Sequence, residues 1–89
     1  MTIELTLIGK PGCHLCDDAL EVIVQVLADF ALAKPQQVVE VKHVNMLDQE
    51  DLIQKYAEEI PVLLINGNMH AYWRIDDERL MRALHALAK

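Results

Sequence analysis

The chain contains no serine, so a serine nucleophile is excluded outright. Its three glycines, Gly9, Gly12 and Gly67, are too few and too scattered to form a phosphate-cradling loop of either common pattern. Charges interrupt every apolar stretch well before the ~18 residues of a membrane-spanning helix, so no membrane association is expected. The N-terminus runs straight into Thr2-Ile3-Glu4-Leu5, with no basic segment leading into an apolar one, and no secretory signal is visible. Basic residues are scarce: eight Lys and Arg stand against fourteen Asp and Glu, a net charge of −6. That balance argues against a nucleic-acid partner, mildly disfavours small anions, and chiefly supports solubility. The two cysteines are too few for the stapled scaffold of a small secreted protein. The expected compartment is the cytoplasm, where a disulfide is usually transient or catalytic.

What is present is enough for one small folded unit. Eighty-nine residues, 53% hydrophobic and 25% charged, suit a single globular domain over 1–89 with no room for a second core. No repeat, linker or low-complexity tract divides it. Both cysteines fall in one tetrad, Cys13-His14-Leu15-Cys16. At that spacing one helical turn brings the sulfurs close enough to form and break a small-loop disulfide.

The residues around the tetrad predict its setting. Residues 2–8 alternate and then become wholly apolar, as in a strand entering a core. Gly9-Lys10-Pro11-Gly12 makes a tight strand-to-helix loop. A helix is expected from about His14 to Ala33, with Cys16, Leu20, Ile23, Leu27 and Phe30 as its apolar stripe. Pro35 stops it. The β-branched run 38–44 predicts a strand. A short helix over roughly Gln49–Glu58 follows, with Asp48 as its cap. Residues 61–65 form a short apolar strand covered on both faces, and Asn66-Gly67 signals a hairpin into a strand near 68–73. Asp76 caps a last helix whose core stripe is Leu80, Met81, Leu84 and Leu87. The predicted order is β-α-β-α-β-β-α, an α/β fold with a right-handed parallel crossover followed by a hairpin.

This placement makes the cysteines unequal. Cys13 falls at the helix start, where unpartnered N–H groups and the positive dipole end favour thiolate, the species that attacks a disulfide. Cys16, one turn on, is placed to attack the resulting mixed disulfide and release the product. Lys10 and His14, when charged, favour the thiolate further. Asp17 and Asp18 oppose it, since a unit charge about 8 Å away is worth roughly 0.5–2 kcal/mol. The Cys13 thiol is therefore expected below its ordinary range, though not at an extreme.

Two other readings compete. The cysteines could be buried hydrophobes, but the strand before them, the Pro-Gly turn and the amphipathic helix after them favour redox chemistry. They also supply half of a tetrahedral zinc site. No second cysteine pair or His-x₃₋₅-His follows, and His43, His70 and His85 fall on different elements, so no metal is expected. Trp73 and the methionines Met46, Met69 and Met81 read as packing residues.

The chain resembles the thioredoxin superfamily, and within it the small glutaredoxin-like proteins. The matching residues are Lys10-Pro11-Gly12-Cys13-His14-Leu15-Cys16-Asp17, Tyr56-Ala57-Glu58-Glu59-Ile60-Pro61-Val62, Ile65-Asn66-Gly67 and Asp76-Asp77. The resemblance implies a three-layer thioredoxin-like fold around a four-stranded mixed sheet. It also implies a cis peptide between Ile60 and Pro61, opposite the cysteines. In that family the residue before the proline offers its backbone to a thiol substrate and a lysine matching Lys10 binds a carboxylate. Ile60, Pro61 and Lys10 are thus implied as substrate contacts, beside His14. Typical members have Cys-Pro-Tyr-Cys and a Gly-Gly pair before the final helix. Here His14-Leu15 stand between the cysteines, and Tyr72-Trp73-Arg74-Ile75-Asp76-Asp77 replaces the glycine pair.

The implied activity is dithiol–disulfide exchange, with Cys13 as nucleophile and Cys16 as resolving thiol. Its partners would be disulfide-containing proteins or glutathione mixed disulfides, with re-reduction by a cellular thiol. The protein is expected to be a monomer without a tightly bound cofactor, with glutathione as co-substrate. The competing function is a thioredoxin-fold peptide- or protein-docking module with little turnover.

Overall fold

The computed structural model describes residues 2–56 and 59–88. Strand β1 (Ile3–Gly9) leads into helix α1 (His14–Ala33), strand β2 (Val39–Asn45), a 3-10 turn (Met46–Asp48) and helix α2 (Glu50–Tyr56). Strands β3 (Val62–Ile65) and β4 (Asn68–Tyr72) and helix α3 (Asp77–Leu87) complete the chain. The four strands form one mixed sheet in the order β2-β1-β3-β4. β1 runs parallel to β2 and antiparallel to β3, and β3 and β4 form a hairpin. This is the expected α/β architecture and element order, apart from the added 3-10 turn.

The alternation of β1 divides the core. Ile3, Leu5 and Leu7 face Ala19, Ile23, Val26 and Phe30 of α1 and Leu80 and Leu84 of α3. Ile8 faces the other way, into a smaller cluster with Met46, Tyr56 and Val62, with Leu52, Ile53 and Ile60 packed against it. Two helices therefore cover one face of the sheet. The short α2 covers the other face only where β1 ends. Leu63, in the central strand β3, is fully buried, whereas its neighbour Leu64 is only half-buried where that cover thins.

Several local expectations shift. The buried stripe of α1 is centred on residues 19, 23, 26 and 30, so Cys16, Leu20 and Leu27 lie at its margins. Asp48 belongs to the 3-10 turn, which Asn45 caps by accepting from the Leu47 N–H. The Gln49 carbonyl receives the first N–H groups of α2, from Leu52 and Ile53. The last two residues expected in that helix, 57 and 58, lie outside the described residues. Met69 and Leu87 are exposed, and Met81 is half-buried. At the Asn66-Gly67 turn both residues take positive φ, 51° and 83°, as a tight hairpin of this hand requires. The Asn66 side chain also accepts from the Glu4 N–H at 2.9 Å, tying the hairpin to β1.

The hairpin carries one irregularity. Leu63 pairs with Ala71 but Leu64 with Met69, so His70 is the extra residue of a bulge. Its Nε2 is closed off from solvent and meets no hydrogen-bond partner among the described residues. Burial, and secondarily the Arg79 charge, hold the imidazole below its ordinary value of 6.5. The folded state thus binds this proton more weakly than the unfolded chain does. The resulting stability is fully present above pH ~6.5 and is lost as pH falls through the lowered folded value. Denaturant midpoints measured from pH 7.5 to 5.5 should fall for the native protein and fall less for His70→Gln. Equal slopes would remove His70 as the source.

Candidate redox site at the end of the central strand

The sheet topology gathers the site. The C-terminal end of β1 is flanked by Asn45 of β2, its register partner, on one side. On the other side Ile8 pairs with Val62, which sets Pro61 next to Gly9. β1 is the strand at which the connection reverses direction across the sheet, the place where open α/β sheets leave a crevice. The chain leaves β1 through Lys10-Pro11-Gly12 and enters α1 directly above this point.

Cys13 is the N-cap of α1. Its backbone is extended (φ −94°, ψ 111°), its carbonyl receives the Asp17 N–H at 3.2 Å, and its Sγ accepts from the Cys16 N–H at 3.2 Å. A sulfur here occupies the position usually filled by a capping oxygen, and any negative charge on it meets the helix N-terminus. Cys13 and Cys16 are joined as a disulfide with a Cα–Cα distance of 5.2 Å. Both residues are half-buried.

Gly9 makes room for the second sulfur. A Cβ added there would lie 2.8 Å from Cys16 Sγ, well inside normal contact. Sequence reading placed Gly9 only in the loop; the contact seven residues further on becomes visible once helix and strand are superposed.

The remaining expected residues divide between two flanks. Lys10 and Pro11 line a cavity of about 370 Å³ with Cys16, Asp17, His43, Asn45 and Asp48, on the β2 side of α1. Ile60 and Pro61 lie on the β3 side, joined by a cis peptide as expected from the resemblance. Pro61 is buried and its carbonyl accepts from the Trp73 N–H at 2.9 Å. His14 is exposed in the first turn of α1. The structure therefore joins the two cysteines directly and sets Lys10 and Ile60-Pro61 on opposite sides of them. Sequence reasoning missed Gly9, His43, Asn45 and Asp48 as residues around Cys16. The parallel register of β2 with β1 brings His43 and Asn45 there, and the 3-10 turn that follows β2 brings Asp48.

Trp73 departs from the packing role expected of it. It is 51% exposed, stacks edge-on against Tyr72 with centroids 5.1 Å apart, and has a φ of 65°. That left-handed conformation is uncommon for a bulky residue. With Leu15, Asp18 and Arg74 it borders a smaller hollow of about 180 Å³ beside α1. Among the described residues, no group of three or more His, Cys, Asp or Glu side chains converges on a metal position, and no helix is long and apolar enough to cross a membrane.

A four-stranded mixed sheet with helices on both faces, a Cys-x-x-Cys capping the first helix and a cis-proline beside the central strand define a thioredoxin-like fold of glutaredoxin-like type. The chain belongs to the glutaredoxin-like domain family (DUF836), whose model matches residues 4–85. Among solved structures it is similar to that of the structural-genomics target protein XcR50 from X. campestris. The two are 30% identical with a TM-score of 0.71, over 92% of this chain and 96% of that one. Human ERp44 shares the fold at 16% identity and a TM-score of 0.65, over 98% of this chain and 25% of that one. An uncharacterized protein of Mycobacterium tuberculosis is 23% identical over 77 residues, 86% of this chain and 77% of its own length.

Proposed function

We propose that this protein is a thiol–disulfide oxidoreductase that reduces protein disulfides or mixed disulfides in the cytoplasm as a monomer. The observation that carries this reading is the Cys13 sulfur at the N-cap of α1, accepting the Cys16 N–H and bonded to the Cys16 sulfur. The reduced Cys13 thiolate attacks a substrate sulfur, forming a mixed disulfide and expelling a substrate thiolate. Cys16 then attacks Cys13 Sγ, closes the intramolecular disulfide and frees the second substrate sulfur. A cellular thiol, glutathione among them, returns the pair to the dithiol form. Lys10 contacts an anionic group of the substrate, His14 favours the thiolate, and Ile60-Pro61 shapes the opposite wall of the cleft.

Equilibration in glutathione redox buffers tests the reading. Alkylation and mass measurement should give one reversible two-electron couple, at roughly −180 to −280 mV. A pair that stays closed or stays open throughout that range would favour a docking module instead. Parallel assays on a glutathionylated peptide and on a protein disulfide identify the preferred substrate.

A further inference from the structure

The reaction has one proton left to place. Resting on the redox reading above, the second step requires Cys16 to lose its thiol proton before it attacks Cys13. Its sulfur lies against Gly9, half-buried, so bulk solvent reaches it through limited openings. One opening is the cavity of about 370 Å³ between α1 and β2, large enough for several waters.

His43 stands in the wall of that cavity. It pairs with Leu7 in the β1–β2 register and therefore projects from the same sheet face as Leu7 and Gly9, the face against which Cys16 lies. The charged groups facing it are Lys10 from the loop, Asp17 from α1 and Asp48 from the 3-10 turn. Leu7 and Leu20 supply only apolar surface. A charged ammonium has no lone pair to accept with, and a carboxylate holds a proton too weakly to draw one from a thiol. Neutral imidazole is the one side-chain type in this wall suited to accept a proton near neutral pH. The two carboxylates face the imidazolium that results.

We infer that His43 accepts the Cys16 proton, through water in the β2-side cavity, as Cys16 resolves the mixed disulfide. The balance closes within the site. The Cys16–Cys13 S–S bond forms, the Cys13–substrate S–S bond breaks, and the leaving sulfur takes the electron pair as a thiolate. The thiol proton stays on His43 until it returns to solvent or to the departing thiolate.

The two steps separate in a stopped-flow experiment with dithiobis(nitrobenzoate), which releases one coloured thiolate on attack by Cys13 and a second on attack by Cys16. At pH 7, His43→Gln should slow the second release by roughly 10-fold or more. The first release should stay within about twofold of the native rate. The defect should shrink toward pH 9, where hydroxide competes as the proton acceptor, and added imidazole should restore part of the rate. An unchanged second phase overturns the inference. So do equal slowing of both phases and a defect independent of pH, each of which marks a structural role. Absence of either phase in the native protein would instead remove the redox reading on which the inference rests.

Discussion

Cys13→Ser is expected to bring disulfide exchange down to the rate of the reductant alone, with no covalent adduct to substrate. Cys16→Ser, in contrast, should accumulate a stable mixed disulfide. The asymmetry follows from the helix start. Only the Cys13 sulfur receives a backbone N–H from the first turn, the 3.2 Å contact from Cys16. Cys16 lies within the helix, its sulfur against Gly9, away from the unpartnered N–H groups that favour thiolate. Removing Cys13 therefore removes the attacking species. Removing Cys16 leaves attack intact and eliminates release. Non-reducing electrophoresis and intact mass after mixing with a disulfide-bonded protein distinguish the two. Adducts on the Cys13→Ser variant and none on Cys16→Ser would reverse the assignment of nucleophile and resolving thiol.

The largest stability effect is expected at Phe30. It is 1% exposed, ends the buried stripe of α1, and meets the His85 ring of α3 edge-on at 5.1 Å between centroids. It thus binds the two helices of the larger core to each other. Phe30→Ala should cost about 3–5 kcal/mol through lost burial and the cavity left behind. A domain of this size has roughly 5–13 kcal/mol in total at the usual per-residue stability. Leu32→Ala, on the same helix two residues away, should change stability by less than about 0.5 kcal/mol, because Leu32 is 85% exposed. Urea denaturation of the two variants gives the comparison, and comparable losses would contradict the assignment of the core to this helix face.

The expected alternation of core positions, the Asn66-Gly67 turn and the Asp76 cap all rest on interactions within a few residues, and each is legible in the sequence. Asp76 accepts from Glu78 and Arg79, in the first turn of α3. Cys13 at the start of α1 is legible for the same reason. The stripe of α1 was harder to place. Apolar residues occupy more than half of the helix circumference, and periodicity alone leaves its centre free to rotate by one position until the sheet is in place. Leu87 and Met69 are exposed against expectation for a related reason, since hydrophobicity does not indicate where a covering element ends. His43 and Asn45 are not legible because their relation to Cys16 depends on which strand lies beside β1 and in which register, and Gly9 is not because its contact depends on how α1 lies across β1. Trp73 is a different case. Composition favours burying a lone tryptophan, but the backbone bond from its N–H to the Pro61 carbonyl holds it outside the core.

The unequal division of the interior has a kinetic counterpart. The larger cluster joins β1, β3, α1 and α3, whereas the smaller one rests on four buried residues, Ile8, Met46, Tyr56 and Val62, under a seven-residue helix. Opening free energies follow such inequality, because a lightly packed unit can open sub-globally while the rest of a fold stays closed. Here that unit is α2, whose amides are expected to exchange faster than those of α1 and α3. The α1 N-terminus that carries Cys13 is expected to share the slow exchange of the larger core, to which α1 is packed through Ala19, Ile23, Val26 and Phe30.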